Sequence, residues 1–158
     1  MTQAPDPALE REGTAMRSTR SWRILLGSML AACLIVMMFI AFWPTPVDAP
    51  VHGGLMAWLD ALHRAGVPTW FGYAFVESAA NVLLFVPLGA LIALELPRRF
   101  WWVAAVAAAV LSIVIETVQQ FIPDRFASVA DVIANTAGGL IGALLVWAVR
   151  RYGRPRPR

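Results

Sequence analysis

Four long runs of apolar residues dominate the chain, and charged residues mark their ends. Charge is absent from residues 24–43, 78–94 and 132–149, and residues 100–122 contain the single charge of Glu116. At about 1.5 Å per residue, helices of this length approach the roughly 30 Å hydrocarbon thickness of a bilayer. The pattern therefore predicts an all-α, polytopic membrane protein with four transmembrane helices. The predicted spans are residues 23–43, 77–96, 100–122 and 129–150.

The segments outside the spans complete the predicted organisation. We expect residues 1–21 to be a disordered cytoplasmic N-terminus, residues 22–150 a single transmembrane domain, and residues 151–158 a basic cytoplasmic tail. In the outer loop, apolar residues recur at helical spacing, which predicts a short interfacial helix. These residues are Leu55, Trp58, Leu59 and Leu62.

Two alternatives concern the N-terminus. A cleaved signal peptide also has arginines before an apolar run, but this run ends in Phe42, Trp43 and Pro44 rather than in small residues. Met16 is an alternative start to Met1.

Composition supports a membrane protein. Of the 158 residues, 59% are hydrophobic and 15% charged, whereas soluble domains average about 45–50% and about 25%. This excess of apolar residues argues against a compact water-soluble enzyme and a disordered regulator. A lone cysteine, Cys33, argues against a disulfide scaffold. His52 and His63 lack metal-ligand spacing, so neither a metal nor a cofactor is predicted.

The positions of the arginines predict the orientation. All 13 basic residues are arginine, and eleven of them precede the first span, lie between the second and third spans, or follow the fourth. Only Arg64 and Arg125 fall on the other side. Because cytoplasmic segments retain positive charge, both termini should be cytoplasmic. The arginines cluster at the ends of the apolar runs rather than on one basic face, which argues against a nucleic-acid partner.

Polar residues concentrate at one depth of the predicted bundle. With both termini inside, the second and fourth helices begin, and the third ends, at the outer surface. A charge in the middle of a span costs about 2.5–3.5 kcal/mol, so such residues usually face a partner or a cavity. We therefore expect a ligand-binding site open to the outer leaflet. Its candidate residues are Glu77, Asn81, Glu116, Gln119, Arg125, Asp131 and Asn135.

A purely structural interpretation remains open for several of these residues. Ser128 and Asp131 have the spacing of an N-cap and capping box, Glu77 complements a helix dipole, and Arg125 can neutralise a carboxylate. This interpretation does not explain Glu116, which lies about two turns from the predicted helix end.

Two backbone features predict a shaped bundle. Pro87 removes the hydrogen bond to the carbonyl of Leu83 and should bend the second helix. Gly138 and Gly142, four residues apart in the fourth helix, permit a neighbouring helix to approach closely.

The ordered combination of these residues resembles the VanZ-like family of small bacterial membrane proteins, over about residues 77–147. The resemblance implies a multi-span helical protein of the bacterial cell membrane, and the family's namesake is associated with low-level resistance to the lipoglycopeptide teicoplanin. At Ser128 the chain departs from the family, where an aspartate is frequent. The similar residues are the segment from Asn81 to Gly89, Glu116 with Gln119, Arg125, Asp131, Asn135, Gly138, Gly139 and Gly142.

Three functions are compatible with these features. The first is an envelope protein that binds an amphiphile from the outer leaflet, with membrane lipids, a lipid-linked envelope precursor or a lipoglycopeptide as candidate partners. The second is a membrane enzyme acting on a lipid-linked intermediate with Glu116 or Asp131 as the base, although no catalytic set is identified. The third is a small proton-coupled exporter that uses Glu116 as the carrier.

Overall fold

A computed structural model describes residues 7–43, 50–122 and 128–153, with side chains from residue 20 onward. Within these ranges the chain forms five α-helices, one 3-10 turn at Arg98–Phe100, and no strand. The all-α prediction is therefore confirmed for the described residues. The helices are α1 (Pro7–Ala41), α2 (His52–Arg64), α3 (Tyr73–Glu95), α4 (Val103–Gln119) and α5 (Val129–Tyr152).

In the described part of the chain, three helices are long and apolar enough to cross a membrane: residues Arg20–Ala41 of α1, all of α3, and all of α5. The fourth apolar helix, α4, has 17 residues. Its predicted start at residue 100 differs from the observed one because the 3-10 turn and Trp101 and Trp102 precede its first regular turn. The number of membrane crossings thus stays a prediction.

The first helix starts earlier than the sequence predicted. The backbone of α1 is helical from Pro7. The expected disorder of residues 1–21 stays a prediction. Proline is favourable at the first helical position, and alanine, leucine, glutamate, arginine and methionine are all good helix formers. These residues propagate the helix of the first span toward the N-terminus.

The core lies around α3, which packs most extensively against α5 and also against α1 and α4. Helix α4 packs mainly on α5. The largest buried cluster joins α1, α3 and α4 through apolar side chains that interdigitate between the helices. Its buried members are Met37, Phe85, Leu88, Ala108 and Ile115.

The backbones of α3 and α5 contact each other directly through glycines. A Cβ atom at Gly138 would meet the carbonyl of Val82, and one at Gly142 would meet the carbonyl of Val86. Such small residues let helices approach closely in a membrane. Pro87 lies on the exposed side of α3, which continues through it as one helix. The bend at Pro87 stays a prediction.

The helices run alternately up and down, so the bundle has two distinct ends. At one end, Gln119 near the end of α4 donates to the carbonyl of Ala41 at the end of α1. The beginnings of α3 and α5 also lie at this end, with the polar residues Glu77, Asn81 and Asp131. We therefore call it the polar end. At the other end, Arg150 near the end of α5 contacts the last turn of α3. We call this the arginine end.

The helix expected in the loop after the first span is α2, at the polar end of α3. Leu59 is buried, whereas Trp58 and Arg64 are exposed. Gly66, with a φ of 98°, ends the helix in the left-handed region that glycine adopts without steric cost. The position of α2 at a membrane interface stays a prediction.

Candidate polar site between α3, α4 and α5

Asn81 and Asp131 join α3 to α5 at the polar end. The Nδ2 atom of Asn81 donates to Oδ1 of Asp131 at 2.8 Å, and both side chains are half-buried. A hydrogen bond to a carboxylate is among the stronger ones in proteins. This bond fixes the start of α5 against the third turn of α3, and it leaves part of both side chains accessible.

Glu116 completes the N-cap of α5 from a different helix. Ser128 is the N-cap residue, and its Oγ accepts from the backbone N–H of Asp131 at 3.2 Å. In a capping box, the residue at the Asp131 position would return a bond to the N–H of Ser128. That N–H instead donates to Oε2 of Glu116 at 2.7 Å.

This arrangement explains how Glu116, with only 7% of its surface exposed, is accommodated in an apolar helix. Its carboxylate accepts an N–H at the positive end of α5, which favours negative charge. The structural interpretation of Ser128 as an N-cap is confirmed, while the reciprocal bond comes from α4. Asp131 therefore has its carboxylate oxygen Oδ1 available for Asn81.

A second polar contact lies one helical turn deeper. Ser112 precedes Glu116 by four residues and Asn135 follows Asp131 by four, so each pair shares a helix face. The Nδ2 atom of Asn135 donates to Oγ of Ser112 at 2.9 Å. Ser112 is fully buried, and Asn135 is 5% exposed.

Asn135 carries the one buried side-chain polar atom without a hydrogen-bond partner in the described part of the chain, its Oδ1. Exchanging the amide oxygen and nitrogen would only transfer this deficit to the nitrogen. Leaving a buried donor or acceptor unpaired costs about 1–3 kcal/mol. The amide of Asn135 therefore lies below Glu116 and Asp131 with unused hydrogen-bonding capacity.

The remaining predicted site residues occupy different surroundings. Glu77 is exposed in the first turns of α3, one turn before Asn81. Gln119 is directed to α1, where its Nε2 donates to the carbonyl of Ala41 at 2.8 Å. Arg125 lies outside the described residues. Within the described ranges of the chain, no group of three or more histidine, cysteine, aspartate or glutamate side chains is arranged to hold a metal ion.

Sequence reasoning missed Ser112 and the function of Arg150. The signal for Ser112 was its spacing of four residues from Glu116. Arg150 was interpreted only as an orientation signal, yet its guanidinium donates to the carbonyls of Ala93 at 2.9 Å, Leu94 at 2.6 Å and Leu96 at 3.0 Å. These carbonyls lie at or beyond the end of α3, where intrahelical donors are lacking. No sequence spacing connects residues so far apart in the chain.

Comparison with known proteins gives one positive result. A family model described as VanZ/LLP1 matches residues 28–150, which include most of the apolar part of α1, all of α2 to α4 and nearly all of α5. No curated protein and no solved structure matches the chain.

Proposed function

Because the chain belongs to the VanZ/LLP1 family, we propose that it is a four-span protein of the bacterial plasma membrane that binds the polar head of an amphiphile. The head group occupies the polar end of the bundle. The acyl part of the amphiphile lies along the apolar surface beside α3. The proposal has a topological part and a binding part, which are supported by different observations.

The topological part rests on the continuation of α4 at both ends. Backbone hydrogen bonds join Ala104 to the carbonyl of Trp101, and Ile122 to the carbonyl of Gln119. Helical turns thus extend over residues 101–122. At about 1.5 Å per residue, this segment is about 33 Å long, which is enough to cross the roughly 30 Å hydrocarbon core. In this interpretation α4 also crosses the membrane. It is the third of four spans in chain order and runs antiparallel to α3 and α5.

The arginines orient the four spans. Arg98, Arg99, Arg150 and Arg151 all belong to the arginine end, and Arg64 belongs to α2, which adjoins the polar end of α3. Cytoplasmic loops carry an excess of arginine. The arginine end is therefore cytoplasmic in our proposal, and the polar end faces the outer leaflet.

The binding part rests on one observation, the unused amide atom of Asn135 beneath two carboxylate residues. A structural polar contact in an apolar bundle is expected to satisfy its buried atoms, because each unpaired one destabilises the fold. A hydroxyl or ammonium group of a ligand would supply the missing donor. Unpaired buried polar atoms are rare in native proteins, and a functional role is one of the explanations for those that occur.

The accessible residues above Asn135 provide the first contacts for a ligand. Asn81 and Asp131 are half-buried, and Glu77 is exposed one turn closer to the end of the bundle. Together they offer carboxylate acceptors and an amide to a head group rich in hydroxyl or amine groups. Arg125, in the segment between α4 and α5, is our candidate for a phosphate or carboxylate on the ligand.

A lipoglycopeptide of the teicoplanin type and a lipid-linked envelope precursor both combine such a head group with an acyl chain. We therefore propose these two as the ligands to test first, with a role in glycopeptide resistance as the cellular consequence. Binding is measured with the purified protein in lipid nanodiscs, titrated separately with teicoplanin and with a bacterial lipid extract.

The test compares Asp131→Asn with Thr136→Val. Asp131→Asn removes the charge and keeps the shape at the α3 contact. Thr136 lies on the same helix, and its Oγ1 bonds the carbonyl of Val132 within that helix, so Thr136→Val is a matched control. We expect Asp131→Asn to weaken binding about tenfold or more, as for the loss of a charged hydrogen bond. The binding part is wrong if neither probe binds, or if both variants bind as the wild type does.

A further inference from the structure

The arginine end carries a second set of polar groups that the proposed binding site does not use. Arg98 and Arg99 lie in the 3-10 turn after α3, and Arg151 lies in the last turn of α5. The two segments are held together by the rings of Trp101 and Trp147, whose centroids are 6.2 Å apart. Residues distant in sequence therefore form one surface.

The arginines on this surface differ in how their donors are used. Arg150 directs its guanidinium inward to three backbone carbonyls. Within the part of the chain that the structure describes, the guanidinium groups of Arg98, Arg99 and Arg151 make neither a hydrogen bond nor an ion pair. The N–H groups of these three arginines are available to an anionic partner.

Aromatic rings hold two of the three guanidinium groups in place. The guanidinium of Arg99 lies over the ring of Phe100 at 4.7 Å, and that of Arg151 lies 5.6 Å from the ring of Trp147 and 5.8 Å from that of Tyr152. Such cation–π contacts restrict the side chain through the ring face. They do not require its N–H edge, which is the edge that matches a phosphate in a bidentate geometry.

We propose that Arg98, Arg99 and Arg151 form a binding site for the phosphate of an anionic phospholipid, with Trp147 and Tyr152 beside its glycerol region. The site lies where the apolar surfaces of α3 and α5 end, which is the depth of lipid phosphates. Tryptophan and tyrosine favour this interfacial level, and Tyr152 is 75% exposed there. A soluble phosphate would not use the adjoining apolar surface.

The site is separate from the polar end, so its test is independent of the binding part of the proposed function. It shares with the topological part the premise that α3 and α5 cross the membrane. Full-length protein is reconstituted in nanodiscs that contain phosphatidylglycerol and phosphatidylcholine in equal amounts. Lipids retained on the protein after mild release are counted by native mass spectrometry. The triple variant Arg98→Gln/Arg99→Gln/Arg151→Gln is compared with Arg20→Gln/Arg23→Gln/Arg64→Gln, which removes the same charge from α1 and α2.

We expect the wild type and the control triple variant to retain phosphatidylglycerol in preference to phosphatidylcholine. Both triple variants lose the general attraction of three arginines to an anionic surface, about fivefold for each arginine. The site variant should lose a further tenfold or more, because it also removes the charged hydrogen bonds to one phosphate. The site variant leaves Arg150 unchanged. Thermal unfolding of both triple variants at the wild-type temperature excludes loss of the fold. Arg151→Lys keeps the charge but not the bidentate N–H edge, so it should lose part of the preference, about severalfold.

Additional arms of the experiment identify the source of the phosphate. Glycerol 3-phosphate and inorganic phosphate at millimolar concentration should not displace the retained lipid, because they lack acyl chains. An acidic peptide should not displace it either. The proposal is overturned if the two triple variants lose the preference equally, if the wild type has no preference, or if any soluble competitor displaces the lipid.

Discussion

Replacing Ser112 with alanine should destabilise the protein only when Asn135 is present. The Oγ atom of Ser112 is the acceptor for the Asn135 amide nitrogen, at 2.9 Å in a fully buried position. Ser112→Ala removes this acceptor and leaves a second atom of the same amide unpaired. In the Asn135→Leu background, no amide remains to be left without a partner.

The magnitude follows from the burial of the pair. An unpaired buried donor costs about 1–3 kcal/mol, whereas replacing both partners of a hydrogen bond by apolar groups is nearly neutral. Ser112→Ala should therefore lower the free energy of unfolding by about 1–3 kcal/mol in the wild type and by less than about 0.5 kcal/mol in the Asn135→Leu background. The extra volume of leucine is present in both proteins of the Asn135→Leu arm, so its cost cancels within that arm to first order.

The assay is equilibrium unfolding in mixed detergent micelles, with sodium dodecyl sulfate as the denaturant and tryptophan fluorescence as the signal. Thr136→Val serves as a control, because it removes a bond within one helix rather than between two helices. An equal cost of Ser112→Ala in the two backgrounds would refute the reasoning, since it would mean that Asn135 and Ser112 are not coupled. Double-mutant cycles isolate such pairwise contributions.

Three further predictions concern packing, the end of α3, and topology. Gly142→Ala should lower the free energy of unfolding by about 1–3 kcal/mol in the same assay, because its Cβ would meet the backbone of α3. Gly27→Ala, with open space around the new Cβ, should be neutral or stabilising. Equal effects of the two changes would contradict direct backbone contact between α3 and α5. Arg150→Gln should cost about 1.5–3 kcal/mol through the loss of charged hydrogen bonds to three carbonyls, and a cost below about 0.5 kcal/mol would show that these bonds are not formed. In a cysteine-free background, Arg64→Cys should react with an impermeant maleimide on intact cells and Arg99→Cys only after permeabilisation; the reverse pattern would contradict the orientation.

Hydropathy predicted the helices well because long apolar runs leave the backbone few alternatives to a helix in a membrane. The ends were less accurate, since charge marks where side chains meet water rather than where the backbone turns. Helix α3 begins at Tyr73, after the extended Gly72, although the first charge comes at Glu77. The part of α1 before the first span contains no long apolar run, so hydropathy gave no signal for it.

The candidate site was predictable in composition and depth but not in its bonds. A spacing of four residues places Asp131 and Asn135 on one face of a helix. The alternating direction of the predicted spans then placed Asn81 and Glu116 at the same end of the bundle as this pair. The bond from the N–H of Ser128 to Glu116 depends on how the α4–α5 connection closes. Periodicity contains no information about such a contact between helices.

The central claim, that the polar end binds an amphiphile, is tested most directly by a lipid-resolved mass spectrum of the gently extracted protein. We compare the wild type with Asn135→Leu, which removes the amide and its unpaired Oδ1, and with Thr136→Val, its neighbour on α5. The account predicts a co-purifying amphiphile on the wild type and on Thr136→Val that is absent from a stably folded Asn135→Leu. The same bound species on all three proteins, or none on any of them, would contradict it.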